Sequence, residues 1–283
     1  MTPEKNKELK LFAVKGRKHI IESTHAAGSG HPGGSLSAID FLTYLYNAEL
    51  RIDPKNPAAE GRDRFVLSKG HVAPALYTVL AQKGYFPEED LLRLRKPDSH
   101  LQGHPNMNDT PGVDFSTGSL GQGVSCAAGM AKAAKYLKKD INVFTLLGDG
   151  EIAEGLVWEA VSWAAHYKLD NFCIAIDVNG LQIDGNTKDV LGMEPIDQKF
   201  AAFGCDVVKI NGHDFGEIES AIAKFHSNKG SGKPTAILLE TVKGKGVSFM
   251  ENIAGWHGKA PNDEQYHQAM DELTMAEKKI EEE

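Results

Sequence analysis

Leu9, Phe12, Ala13 and Ile20 recur at the spacing that lines one face of a helix, so the chain opens on a helical segment. The same period resumes after Pro32–Gly34, runs through Phe41 and Leu45, and returns over Pro74–Gln82. Asn56, Pro57 and Gly61 mark a loop between them. From Pro97 to Gly118 no period holds, and Pro, Asn, Asp and Gly dominate. Connections of that length in a folded protein are commonly functional. Residues 124–137 then predict a helix with Val124, Ala127, Ala128, Ala131 and Ala134 on one face, small enough to lie close to a sheet. Val143–Leu147, Phe172–Ile176, Val207–Ile210 and Ala236–Leu239 are short apolar runs, as strands buried on both faces require. Helical segments Gly155–Tyr167 and Phe215–His226 fall among them. Such alternation predicts an α/β fold, a mostly parallel sheet with helices on both faces. We read residues 1–283 as one domain with a helical N-terminal elaboration. The charge run Glu277–Glu283 reads as a solvated, frayed helix end.

Composition narrows the function classes. The chain's 283 residues can bury a sizeable core without disulfides. With 31 basic and 39 acidic residues the net charge is −8, which argues against nucleic-acid binding by a basic surface. No apolar run approaches the ~18 residues of a membrane span, and the N-terminus lacks the apolar core of a signal peptide. Cys126, Cys173 and Cys205 stand far apart without a C-x-x-C, as reduced thiols of a cytoplasmic protein would. Glycine is about a tenth of the chain, against ~7% usually, and the glycines cluster.

Gly28-Ser29-Gly30-His31-Pro32-Gly33 fits the dinucleotide fingerprint literally but follows a helix, where the motif needs a strand. Gly148-Asp149-Gly150-Glu151 directly follows the apolar run Val143–Leu147, which places Asp149 at the carboxyl end of a parallel strand, where α/β sheets bind ligands. The next strand ends at Asp177-Val178-Asn179-Gly180, so Asp149 and Asn179 occupy matching strand ends. A carboxylate, an amide oxygen and a backbone carbonyl suit Mg²⁺ completed by diphosphate and water. Read blandly, the pair is an N-capping Asp and a turn Asn. His31, His71, His104 and His257 each follow a glycine or stand beside one, which frees the backbone to aim an imidazole into a pocket. Singly, each is an ordinary loop histidine; together they suggest contacts to phosphate or sugar hydroxyls and proton transfer. Gly118-Ser119-Leu120-Gly121-Gln122-Gly123 offers backbone to a flat ligand, or simply a tight start to a close-packed helix.

In order, S-G-H-P-G at 29–33, L-S-x-G-H at 67–71, G-H-P at 103–105 and T-G-x-L-G-Q-G at 117–123 appear, followed by G-D-G-E-x-x-E-G at 148–155, D-x-N-G-x-x-I-D-G at 177–185 and H-G-x-A-P at 257–261. This set resembles transketolase, a thiamine diphosphate enzyme, over roughly residues 5 to 270. The resemblance is to the diphosphate-binding portion alone, as in the N-terminal subunit of a split transketolase. It implies that Asp149, Asn179 and the Leu181 carbonyl hold Mg²⁺, with Ca²⁺ or Mn²⁺ as substitutes. Gly150, His71 and His257 match diphosphate contacts, and Ile183 a further cofactor contact. Gly118, Ser119 and Leu120 match the segment lining the aminopyrimidine and thiazolium. His31, His104 and His257 match residues at the reacting sugar. Glu154 matches a buried acid at the family's dimer contact, linked to the cofactor site of the other half. The resemblance further implies transfer of a two-carbon ketol unit between sugar phosphates, with a C-terminal subunit that carries the pyrimidine-binding domain, two copies of each chain. Alternatives are a related enzyme acting on a sulfonated or non-phosphorylated sugar, and a cofactor-binding subunit without turnover.

Overall fold

Thr2 starts the first helix by accepting the Lys5 amide at 3.2 Å, and Pro3 suits a first turn that has no use for its missing N–H. The computed structural model describes residues 1–283. Helix α1 (Pro3–Ala27) ends at Gly28, whose φ of 62° is the left-handed cap that glycine adopts freely. Then come α2 (Pro32–Tyr44), strand β1 (Arg64–Leu67), α3 (Ala73–Gln82), α4 (Gln122–Tyr136), β2 (Val143–Gly148), α5 (Gly155–His166) and β3 (Phe172–Val178). A small antiparallel hairpin, β4 (Leu181–Gln182) and β5 (Gly185–Asn186), precedes α6 (Thr187–Leu191) and α7 (Ile196–Ala202). The chain closes with β6 (Asp206–Asn211), α8 (Phe215–Ser227), β7 (Thr235–Glu240) and α9 (Asp263–Glu282).

The five long strands form one parallel sheet in the order β1-β2-β3-β7-β6. Alternation along each strand explains why the runs are apolar throughout. Phe144 and Leu146 point into a cluster of 45 buried residues with α1, α2, α3, α8 and α9, while Val143 and Leu147 point into a cluster of 23 with α4, α5 and α7. The N-terminal helices thus fill the larger half of the core. Full burial of one such side chain contributes about 1.5–3 kcal/mol. On α4, Ala127, Ala128 and Ala131 lie fully against the sheet, as their size suggests.

Two expectations need correction. β1 lies within the stretch expected to be helix and loop; Phe65-Val66-Leu67 is too short a run to announce a strand, and its pairing with β2 makes it one. Residues 277–283 are not simply solvated and frayed. They end a twenty-residue helix whose Ala269 and Leu273 are buried, and Glu277 and Glu283 pair with Lys18 and Lys10 of α1 at 2.6 and 2.5 Å. No helix is long and apolar enough to cross a membrane.

Candidate functional site

Because the strands are parallel, their carboxyl ends open on one edge of the sheet. Ser68–His71 follows β1, Asp149–Glu151 follows β2, Asn179–Leu181 follows β3 and Thr241–Lys243 follows β7. β7 lies between β3 and β6 in the sheet, so Thr241 comes to stand beside Asp177. Gly148 registers with Asp177, and the Asp149 amide continues the ladder to the Asp177 carbonyl at 3.1 Å.

Asp149 is buried, and its two oxygens accept the Gly150 and Gly180 amides at 2.9 and 2.6 Å. Burial, reinforced by the charge of Asp177, pushes its carboxyl up to about 6. Asn179 Oδ1 accepts the Leu181 amide and its Nδ2 donates to Asp177, both at 3.1 Å, so its carboxamide is fixed beside Asp149 rather than free. Asp177 itself has no exposure. Burial opposes its charge, but the ion pair with Lys69, aided by Ser37 and Thr241, holds it below the usual carboxylate range. Lys243 donates to the Leu181 carbonyl and to His257 Nδ1, each at 3.1 Å. Burial, then the charge of Lys69, lowers its ammonium to about 8.

The four glycine-flanked histidines converge. Ring centroids lie 5.2 Å apart for His31 and His71, 5.4 Å for His31 and His257, 5.0 Å for His71 and His257, and 6.4 Å for His31 and His104. Desolvation lowers all four; His31 falls to about 4 with help from Arg95, and His257 to about 3 with help from Lys243. At neutral pH they are uncharged imidazoles. Since His257 Nδ1 accepts from Lys243, its proton sits on Nε2 and points a donor outward. His31 Nδ1 is buried with no partner, an orphan that a ligand would satisfy.

Glu151 ties three of the loops together. Its carboxylate accepts Ser68 Oγ at 2.5 Å and the amides of Gly121 and Gly148 at 2.9 and 3.1 Å. Gly118 holds φ 141°, and a Cβ there would lie 2.8 Å from the His104 ring, so glycine is what lets the loop and the imidazole stack. Ser119 and Leu120 are exposed at the rim. Ile183 is 67% exposed on the β4–β5 hairpin, outside the histidine cluster. Glu154 is exposed on the surface of the single chain. Trp158 is core, donating to the Ile152 carbonyl and packed on Phe200 and Phe203, whereas Trp163 is 39% exposed on α5. A cavity of about 320 Å³ opens beside Asp149, bounded by Val178, Gly180, Thr187, Met193 and Ile196. None of the four histidines lines it.

Sequence reasoning missed the roles of Lys69, Asp177, Lys243 and Glu151. Lysine and acidic residues are taken as solvent-exposed by default, although Lys69 lies inside S-K-G-H and Lys243 inside a glycine-rich turn after an apolar run. The donor set fits a divalent cation shared with a diphosphate. Asp149, Asn179 and the Leu181 carbonyl offer oxygen, Lys69 and Lys243 bring positive charge, and no group of three His, Cys, Asp or Glu forms a separate all-protein cage.

Residues 10–281 match the family model described as transketolase, thiamine diphosphate binding domain. The chain is 43% identical over 279 residues to one of the subunits of the apulose-4-phosphate transketolase of Phocaeicola vulgatus, covering 97% of each. It is 45% identical over 257 residues to a 6-deoxy-6-sulfo-D-fructose transketolase subunit of a Clostridium species, covering 91% of this chain and 93% of that one. Among solved structures it is similar to transketolase from Campylobacter jejuni, with a TM-score of 0.87, 33% identity, and coverage of 96% of this chain but 45% of that one.

Proposed function

Because this chain belongs to the transketolase family through its thiamine diphosphate-binding domain, we propose that it is the diphosphate-binding subunit of a two-chain ketol transferase. In this reading it forms one domain, binds thiamine diphosphate and Mg²⁺, and works with a second subunit that supplies the pyrimidine-binding half, two copies of each. The observation that carries the reading is the convergence of His31, His71, His104 and His257 beside the Asp149–Asn179 strand ends. The substrates proposed are a ketose phosphate as donor and an aldose phosphate as acceptor.

Thiamine diphosphate supplies, when bound, the electron sink that such a carbon–carbon cleavage requires. Asp149, Asn179 and the Leu181 carbonyl would hold the metal, and Gly150, His71 and His257 the diphosphate. Lys69 and Lys243 add positive charge at that end. Gly118, Ser119 and Leu120 would wall the rings. His31 and His104 are neutral, so each can donate to one sugar hydroxyl or accept from it, and can pass a proton without first losing one. Glu154, exposed here, suits burial against a neighbouring chain.

A second reading replaces the phosphorylated donor by a sulfonated or non-phosphorylated sugar; the name of the Clostridium relative favours it. Both readings are tested together. Purified chain with Mg²⁺, thiamine diphosphate and a ketose–aldose phosphate pair, or 6-deoxy-6-sulfofructose as donor, is expected to be inactive until the second polypeptide is added. Full turnover by the chain alone would refute the two-chain reading, as would silence with every partner and sugar.

A further inference from the structure

Residues 241–246 lead out of β7 and carry Lys243. Two of their backbone groups bond to side chains of distant elements. The Val242 amide donates to His213 Nε2 at 2.9 Å, and the Lys245 carbonyl accepts from Arg17 Nε at 3.0 Å. Arg17 belongs to α1, and His213 to the turn between β6 and α8. Asp40 of α2 joins them. Its carboxylate accepts from both terminal nitrogens of Arg17, at 3.1 and 2.6 Å, and from His213 Nδ1 at 2.7 Å. Arg17 and Asp40 are buried. Burial opposes the charge of Asp40, but Arg17, then His213, hold its carboxyl below the usual range.

This bonding settles the imidazole. Because Nε2 accepts from a backbone N–H, the ring proton sits on Nδ1 and points at Asp40. Both edges of the ring are then occupied. A buried ion pair adds little net stability over apolar side chains of the same shape; what this one holds is the place of two backbone groups. Lys243 and Gly244 lie between those groups. A lysine stem is flexible and its ammonium strongly hydrated, yet Lys243 is 2% exposed and reaches both the Leu181 carbonyl and His257 Nδ1. It reaches both only while its Cα is fixed, and the bonds at Val242 and Lys245 fix it from either side. None of Arg17, Asp40 and His213 bonds to the four clustered histidines or to Asp149, Asn179 or Leu181.

We propose that His213 is a positioning residue for the diphosphate end: through the Val242 amide, backed by Asp40 and Arg17, it sets where the Lys243 ammonium stands. Lys243 in turn keeps the His257 proton on Nε2. The influence of His213 thus reaches an imidazole that it does not touch. The inference rests on the reading that this end takes a diphosphate, and adds to it the support behind the lysine.

The test uses two substitutions. His213→Phe keeps a ring but accepts nothing, and His213→Gln keeps one acceptor and one donor. In the full chain alone, proton–nitrogen spectra of the imidazoles report each tautomer. The wild-type chain should show His257 protonated on Nε2, and a coupling across the bond from the Val242 amide to His213 Nε2. His213→Phe should spread the His257 proton over both nitrogens, and His213→Gln should restore the wild-type pattern. Ile222→Ala, a truncation of a buried residue of α8, lowers stability and should leave that pattern alone. In the assembled two-chain enzyme, His213→Phe should weaken thiamine diphosphate binding about 10-fold. KM for both sugars should stay within about twofold at saturating cofactor, and His213→Gln should recover most of the affinity. An unshifted His257 pattern in His213→Phe, or an equal shift in Ile222→Ala, would overturn the proposal. So would the absence of the Val242 coupling in the wild-type chain, a result that stands even if His213→Phe does not fold. Should the wild-type assembly bind no thiamine diphosphate, the functional reading fails, and the imidazole spectra still decide the role of His213.

Discussion

Asp149 and His104 share a site but answer to different ligands. Asp149 is buried between the Gly150 and Gly180 amides at the end of β2. His104 is exposed in the long loop, resting on Gly118. Asp149→Ala should therefore abolish Mg²⁺-dependent binding of thiamine diphosphate, since an amide and a carbonyl alone neutralise a divalent cation poorly. His104→Ala should keep that affinity and lower kcat/KM by about 10-fold or more, the loss of a hydrogen bond strengthened in the transition state. Cofactor titration and steady-state kinetics on the two assembled variants check both; the opposite pattern would show the roles reversed. At this scale the histidines were legible because each stands beside a glycine. The lysines were not, because nothing in a Lys codes for burial until a carboxylate on another strand meets it.

Among elements, the strand ends depend on the buried Lys69–Asp177 pair, which bridges the loop after β1 to β3 and, through Thr241, to β7. Lys69→Met would leave a carboxylate without exposure and without its cation, at a cost of about 3–5 kcal/mol. Adding Asp177→Asn should restore part of the loss. Urea unfolding of the single and double variants measures both, and a loss under about 1 kcal/mol for the single variant would contradict the bridging role. Apolar runs and helical periods were enough to place β2, β3, β6, β7, α4, α5 and α8. β1 escaped because its buried residues number only three. The hairpin at 181–186 escaped because two-residue strands carry no pattern. α9 escaped because its buried face is narrow, with Ala269 and Leu273 alone fully covered.

For the molecule as a whole, uncharged histidines carry a pH cost. His31 and His257 fall from 6.5 to about 4 and about 3, and His71 and His104 move the same way. The unfolded chain binds these protons first, so stability is complete above pH 6.5 and is lost as pH falls through the folded values. Urea midpoints should drop steadily from pH 6.5 toward 4, and His31→Asn should flatten the slope by up to about one proton. An unchanged slope would place His31 in water. The architecture, strands alternating with helices under a helical cap, was readable from period alone; which loops meet at one edge required the sheet order. Glu151 has a consequence of another kind. By joining Ser68, Gly121 and Gly148 within the free chain, it settles the shape of three loops before any ligand arrives. A flat ring entering between them surrenders its own freedom and little of the protein's, so its affinity is spent on contacts rather than on ordering the walls.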